Sequence, residues 1–119
     1  MTSTKLIRGL GAADVVTGLV LVVAAGWLGQ QVDVSTGVVR LTGAALALYG
    51  ADAVLLAARP FMRPVAVGAE LVSALIAVDL VVLGDPTAAG TAILLAAAAL
   101  CVAAAAVLLR PGARTLVAA

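Results

Sequence analysis

The sequence predicts an all-α protein, a four-helix transmembrane bundle of antiparallel up-down topology with both termini cytoplasmic. Three observations carry that expectation. The chain is 65% hydrophobic and only 11% charged, with a mean hydropathy of +1.26, a composition outside the range of soluble domains. Its 119 residues hold four apolar runs, each long enough to cross a bilayer at about 20 residues per span. The connections between the runs are short, which makes neighbouring helices antiparallel.

The first span is expected over about 6–28. Lys5 and Arg8 ahead of it imitate the basic start of a signal peptide, but the apolar run outlasts a typical signal core, so a retained span is expected. Gly11, Asp14, Gly18 and Ala25 recur at steps that set them on one small and polar helical face, suited to packing against other helices. Trp27 stands at the far end as an interfacial anchor. A polar connection over 29–37 follows, with Ser35 or Thr36 as the N-cap of the next helix.

The second span, about 38–58, stops at Arg59-Pro60 and carries Ala45, Tyr49 and Asp52 on a face continuing to Arg59. The third, about 64–83, opens with Pro64 as the expected first helical residue and carries Glu70 and Ser73 on a small and polar stripe. Asp79 falls on the opposite side of that helix and is assigned to structure, with Arg40 as its cation. Gly84-Asp85-Pro86-Thr87 reads as a turn with a new cap. The fourth span, about 88–109, is uncharged and ends at Arg110-Pro111-Gly112; Cys101 within it reads as a small core residue. The segments Arg8-x-x-Gly11 to Gly18 and Arg40-x-x-Gly43 to Gly50 echo each other, which we attribute to shared composition rather than duplication, because their acids do not coincide.

Lys5, Arg8, Arg59, Arg63, Arg110 and Arg114 fall at the termini and the second connection, whereas the first and third connections hold Asp33 and Asp85; only Arg40 breaks the pattern. By the positive-inside rule this sets both termini in the cytoplasm and the protein in a cell inner membrane. Depth follows from spacing at 1.5 Å per residue: Asp14, Asp52 and Glu70 each lie about 10 Å from the basic residue at their cytoplasmic edge. Thr17, Tyr49 and Ser73 sit one turn deeper.

A carboxylate at membrane depth costs about 2.5–3.5 kcal/mol on insertion scales and marks a functional site. Three of them in one apolar pocket cannot all ionise without a cation, so at least one keeps its proton. A neutral acid beside a carboxylate suits acid/base chemistry on a lipophilic small molecule, such as epoxide opening, cyclisation or isomerisation. In that assignment Asp52 is the acid, Asp14 or Glu70 the base, Tyr49 a donor to a developing oxyanion, and Thr17 and Ser73 bind substrate. Proton-coupled export or binding of lipophilic cations is the alternative, and a non-catalytic accessory subunit of a membrane complex is another. In a purely structural alternative, the acids bond between helices and reach Arg8, Arg59 and Arg63. No metal or other cofactor is expected in a chain without histidine or a cysteine pair. A net charge of +1 offers no field for nucleic acid. Beside the lipid bilayer, a second copy of the chain is an expected partner, because so small a bundle encloses little volume.

In size, four-span layout and an acid at Asp14, the chain resembles the small multidrug resistance exporters, which use Glu there; the resemblance implies cation export. Through the arginine-then-glycine openings at Arg8, Arg40 and Arg63 it also resembles small four-span bacterial membrane proteins of the DoxX-like families, which implies the fold alone.

Overall fold

The computed structural model describes residues 2–110, so Pro111, Gly112 and Arg114 lie outside the described residues. Within them the chain forms five helices: α1 Ser3–Val23, α2 Ala25–Val32, α3 Thr36–Leu56, α4 Met62–Leu83 and α5 Ala88–Leu108. There is no strand among the described residues. Four of the helices, α1, α3, α4 and α5, are long and apolar enough to cross a membrane at 21 or 22 residues each. At 1.5 Å per residue each is about 32 Å long, close to the thickness of a bilayer's hydrocarbon core.

The fifth helix is the departure from expectation. The stretch 29–37 was expected to be a polar connection following one continuous span; instead the first span breaks at Ala24 and helix resumes. Ala24 leaves helical geometry (φ −96°, ψ 16°) while its N–H still bonds Val20 O at 2.8 Å. The break lets Ala25 be wholly buried. Gly26 and Gly29, poor at sustaining a straight helix, sit on the far side of it. α2 then ends at Asp33 in the left-handed conformation (φ 60°, ψ 46°), which aspartate tolerates better than most residues. Trp27 is consequently an exposed residue of α2.

Local chemistry sets the other boundaries. The Ser35 hydroxyl accepts from Val38 N at 3.3 Å and the Thr87 hydroxyl from Gly90 N at 3.0 Å, each satisfying an amide that the first turn leaves unpaired. α4 begins two residues earlier than expected, making Pro64 its third residue; proline is still tolerated there because first-turn amides need no helical acceptor. α3 ends at Leu56, so Arg59 belongs to the following turn, where its N–H bonds Leu56 O at 2.9 Å, and does not extend the Asp52 face.

The helices pack as two pairs. α1 closes on α3 through facing glycines: a Cβ on Gly11 would lie 2.7 Å from Gly50 O, and one on Gly43 would lie 2.6 Å from Gly18 O. These are the glycines of the sequence echo, and what they share is this contact, where the absence of side chains lets backbones approach. α4 packs on α5 through Ala74, Ala77, Leu94 and Ala98, joined by Val32 of α2.

The two pairs are fastened to each other toward their ends. At one end Ile7, Ala53, Ala57, Met62, Ala66 and Leu108 form a core drawn from both pairs. There too, within the α4–α5 pair, the Arg63 Nε donates to Leu108 O at 2.8 Å, occupying a carbonyl that the last turn of α5 leaves free. At the other end Thr87 N and Oγ1 bond Gln31 O and Oε1 at 2.8 and 2.7 Å, and Asp85 N bonds Asp33 Oδ2 at 3.1 Å. Gly90 lies against the Gln31 carbonyl, an approach that a side chain would block.

Candidate functional site

Between those fastenings, each long helix contributes one polar side chain to a common group: Asp14 from α1, Tyr49 from α3, Glu70 from α4 and Cys101 from α5. The Asp14 and Glu70 carboxyls are close enough to repel each other. Tyr49 feels the charge of both acids. The Cys101 thiol lies near Glu70 and within electrostatic range of Asp14. All four residues are partly buried.

Asp14 owes its position to the glycine contact. It lies three residues after Gly11 and four before Gly18, on the face that α1 turns to α3. A Cβ at Gly50 would come within 3.0 Å of the Asp14 Cβ, so glycine at 50 leaves the room in which Asp14 stands. Tyr49 adjoins that glycine. Glu70 stands one heptad along α4 from Arg63, yet Arg63 does not turn toward it: its Nε is spent on Leu108 O, and its Nη2 is buried without a hydrogen-bond partner.

The remaining expected site residues lie elsewhere. Asp52 is exposed on α3, between exposed Leu48 and Leu55. Its face is opposite the one that buries Val39, Gly43, Gly50 and Ala53. Thr17 is exposed on α1. Ser73 is exposed on α4 and returns its hydroxyl to its own helix, donating to Ala69 O at 2.8 Å. Asp79 and Arg40 are both exposed.

Cys101 is the member that the sequence did not announce. It falls on the stripe Leu94, Ala98, Ala105 and Leu108 that α5 buries, at helical steps from each. In a helix made largely of alanine that stripe has no contrast to reveal it. Among the described residues no three histidines, cysteines, aspartates or glutamates are arranged to hold a metal ion.

Chemically the group offers two carboxyls, a phenol and a thiol, all able to exchange or hydrogen-bond a proton, in surroundings that are otherwise aliphatic. Compared with protein-family models, with curated proteins and with solved structures, the chain matches none.

Proposed function

We propose that the chain is an inner-membrane protein whose Asp14 and Glu70 carboxyls form an intramembrane site that binds a lipophilic cation in exchange for a proton. The four spans run up and down with both termini cytoplasmic. The charge bias of the connections supports this orientation, as do the facing pairs Gly11 with Gly50 and Gly18 with Gly43, whose numbers run in opposite senses. The single observation that carries the function is that Asp14 and Glu70, partly buried on separately packed helix pairs, lie within electrostatic range of each other, with Arg63 engaged at the α5 terminus instead. Two carboxyls within electrostatic range of each other in an apolar setting attract whatever cation can reach them, whether a proton or an amphiphilic amine.

The test uses the full chain in lipid vesicles, with tetraphenylphosphonium as the probe and a pH dye as the readout. Adding the probe should release protons from the parent protein. Release should vanish in Asp14→Asn and in Glu70→Gln and persist in Asp79→Asn. A parent protein that binds the probe without releasing protons would overturn the assignment.

Tyr49 favours a second function, acid/base catalysis on a neutral lipophilic substrate, because a phenol beside a carboxyl pair can donate to a developing oxyanion. With Asp52 facing outward, the acid and base are then Asp14 and Glu70. Opening of a lipophilic epoxide that is lost in Asp14→Asn and slowed in Tyr49→Phe is the expected outcome, and full turnover in Asp14→Asn excludes it.

A further inference from the structure

α2 follows α1 in the chain but reaches across to the other helix pair. It buries one face, Ala25, Gly29 and Val32 at steps of four and three, and exposes Gly26, Trp27 and Gln30. Of the buried three only Val32 carries a side chain of any size, and that side chain packs with Ala74, Ala77, Leu94 and Ala98 in the seam between α4 and α5. From there the seam leads to the polar group. Ala77, Ala74 and Glu70 follow one another at steps of three and four along α4, and Leu94, Ala98 and Cys101 at steps of four and three along α5. Cys101 itself packs against the cluster that holds Val32. Val32 thus stops the Gln31 end of a seam about 10 Å long, with Glu70 and Cys101 at the other end.

The backbone on either side of α2 departs from helical geometry, at Ala24 (φ −96°, ψ 16°) before it and at Asp33 (φ 60°, ψ 46°) after it. Between these two joints α2 is held by Thr87 N and Oγ1 on Gln31 O and Oε1, and by Asp85 N on Asp33 Oδ2. Thr87, Asp33 and Asp85 are exposed, so water can replace each of these bonds at small net cost. Three of the four residues around Val32 are alanines, too short to refill its place when it leaves. A short element with one anchoring side chain can open while the rest of the fold stays intact.

We propose that α2 is a hinged strap that controls aqueous access to Glu70 and Cys101 from the Gln31 end. Turning on Ala24 and Asp33 as the bonds to Thr87 and Asp85 are exchanged for water, it draws Val32 out of the α4–α5 seam. The inference rests on reading Asp14 and Glu70 as a proton-exchanging site, and it gives the proton a path to water separate from the acyl chains that carry a lipophilic cation.

The experiment uses the full chain in lipid nanodiscs, where both faces meet the solution, and follows modification of Cys101 by a cationic methanethiosulfonate that does not enter the acyl chains, read by mass spectrometry. In the double variant Gln31→Cys with Thr87→Cys, the new thiols replace side chains that already touch, and oxidation locks the strap. Cys101 stands fourteen residues along α5 from position 87, about 21 Å away, and cannot join that disulfide. Cys101 should react roughly tenfold more slowly in the locked than in the reduced form, the ratio expected when one or two such bonds govern an opening equilibrium. Because both forms are one protein, misfolding does not enter the comparison. Thr87→Val should raise the rate several-fold over the parent, whereas Arg63→Ala, which loosens the opposite end, should leave it unchanged. Equal rates in the locked and reduced forms, or an equal rise in Arg63→Ala, would overturn the strap. Locking should also slow the proton release driven by tetraphenylphosphonium. A parent that releases no protons removes the proposed function, and the Cys101 rates still decide the strap.

Discussion

Gly11 and Gly50 meet backbone against backbone, and the same contact seats Asp14. A Cβ at Gly11 would lie 2.7 Å from Gly50 O, and one at Gly50 would crowd the Asp14 Cβ at 3.0 Å. Gly50→Val is therefore expected to destabilise the fold by about 3 kcal/mol, the upper part of the usual range for overpacking. Gly9→Ala, at a glycine with nothing within 4 Å, should be neutral or mildly stabilising. Unfolding in mixed micelles distinguishes the two, and equal effects at both positions would mean that the glycine contact is not what joins α1 to α3.

Arg63 ties α4 to the end of α5 through Leu108 O. Loss of this charge-assisted bond in Arg63→Ala should cost about 2 kcal/mol. Arg63→Met should cost less, because it keeps the packed stem and removes the buried, unpartnered Nη2. Thermal unfolding of the variants gives that order, and a more stable Arg63→Ala would contradict it.

Thr87 has two tasks, capping α5 and holding the Gln31 end of α2. Thr87→Val removes all three hydroxyl hydrogen bonds and is expected to cost about 1–2 kcal/mol, more than an ordinary lost cap. Thr87→Ser should be close to neutral. Hydrogen exchange at Gly90 and Thr91 should rise in Thr87→Val, and unchanged exchange there would show that the cap is unimportant.

Cys101 reports on the site from the α5 side. A lipid-soluble maleimide should label it, and tetraphenylphosphonium should slow labelling several-fold, because Cys101 stands against Glu70. The protection should disappear in Glu70→Gln. Labelling at one rate with and without the cation would separate Cys101 from the binding site.

How far the sequence reveals the site depends on depth and direction separately. Spacing from the basic residues gives depth, and three acids came out level. Direction around each helix depends on which face is buried, and the glycines encode that. Asp14 follows Gly11 by three residues and shares its inward face, whereas Asp52 follows Gly50 by two, about 200° around the helix, and faces out. The echo thus contains the information that separates the two acids: its glycines mark the contact between α1 and α3, which shared composition alone does not explain. Ser35 and Thr87 were legible because hydroxyl caps act locally. α2 is not, because the break at Ala24 goes with the burial of Ala25 and the distant bond of Gln31 to Thr87, which the neighbouring Gly26 and Gly29 do not by themselves specify.

The apolar core around Leu108 and the hydrogen bonds at Gln31 give the molecule the mechanics of a frame clamped top and bottom. Such a frame resists parting at either mouth, where apolar packing at one and hydrogen bonds at the other must first be lost, and yields most easily between them. On the proposed function, a guest bound for Glu70 would have its least obstructed approach from the flank, out of the acyl chains, with the membrane itself as the compartment in which that guest is concentrated.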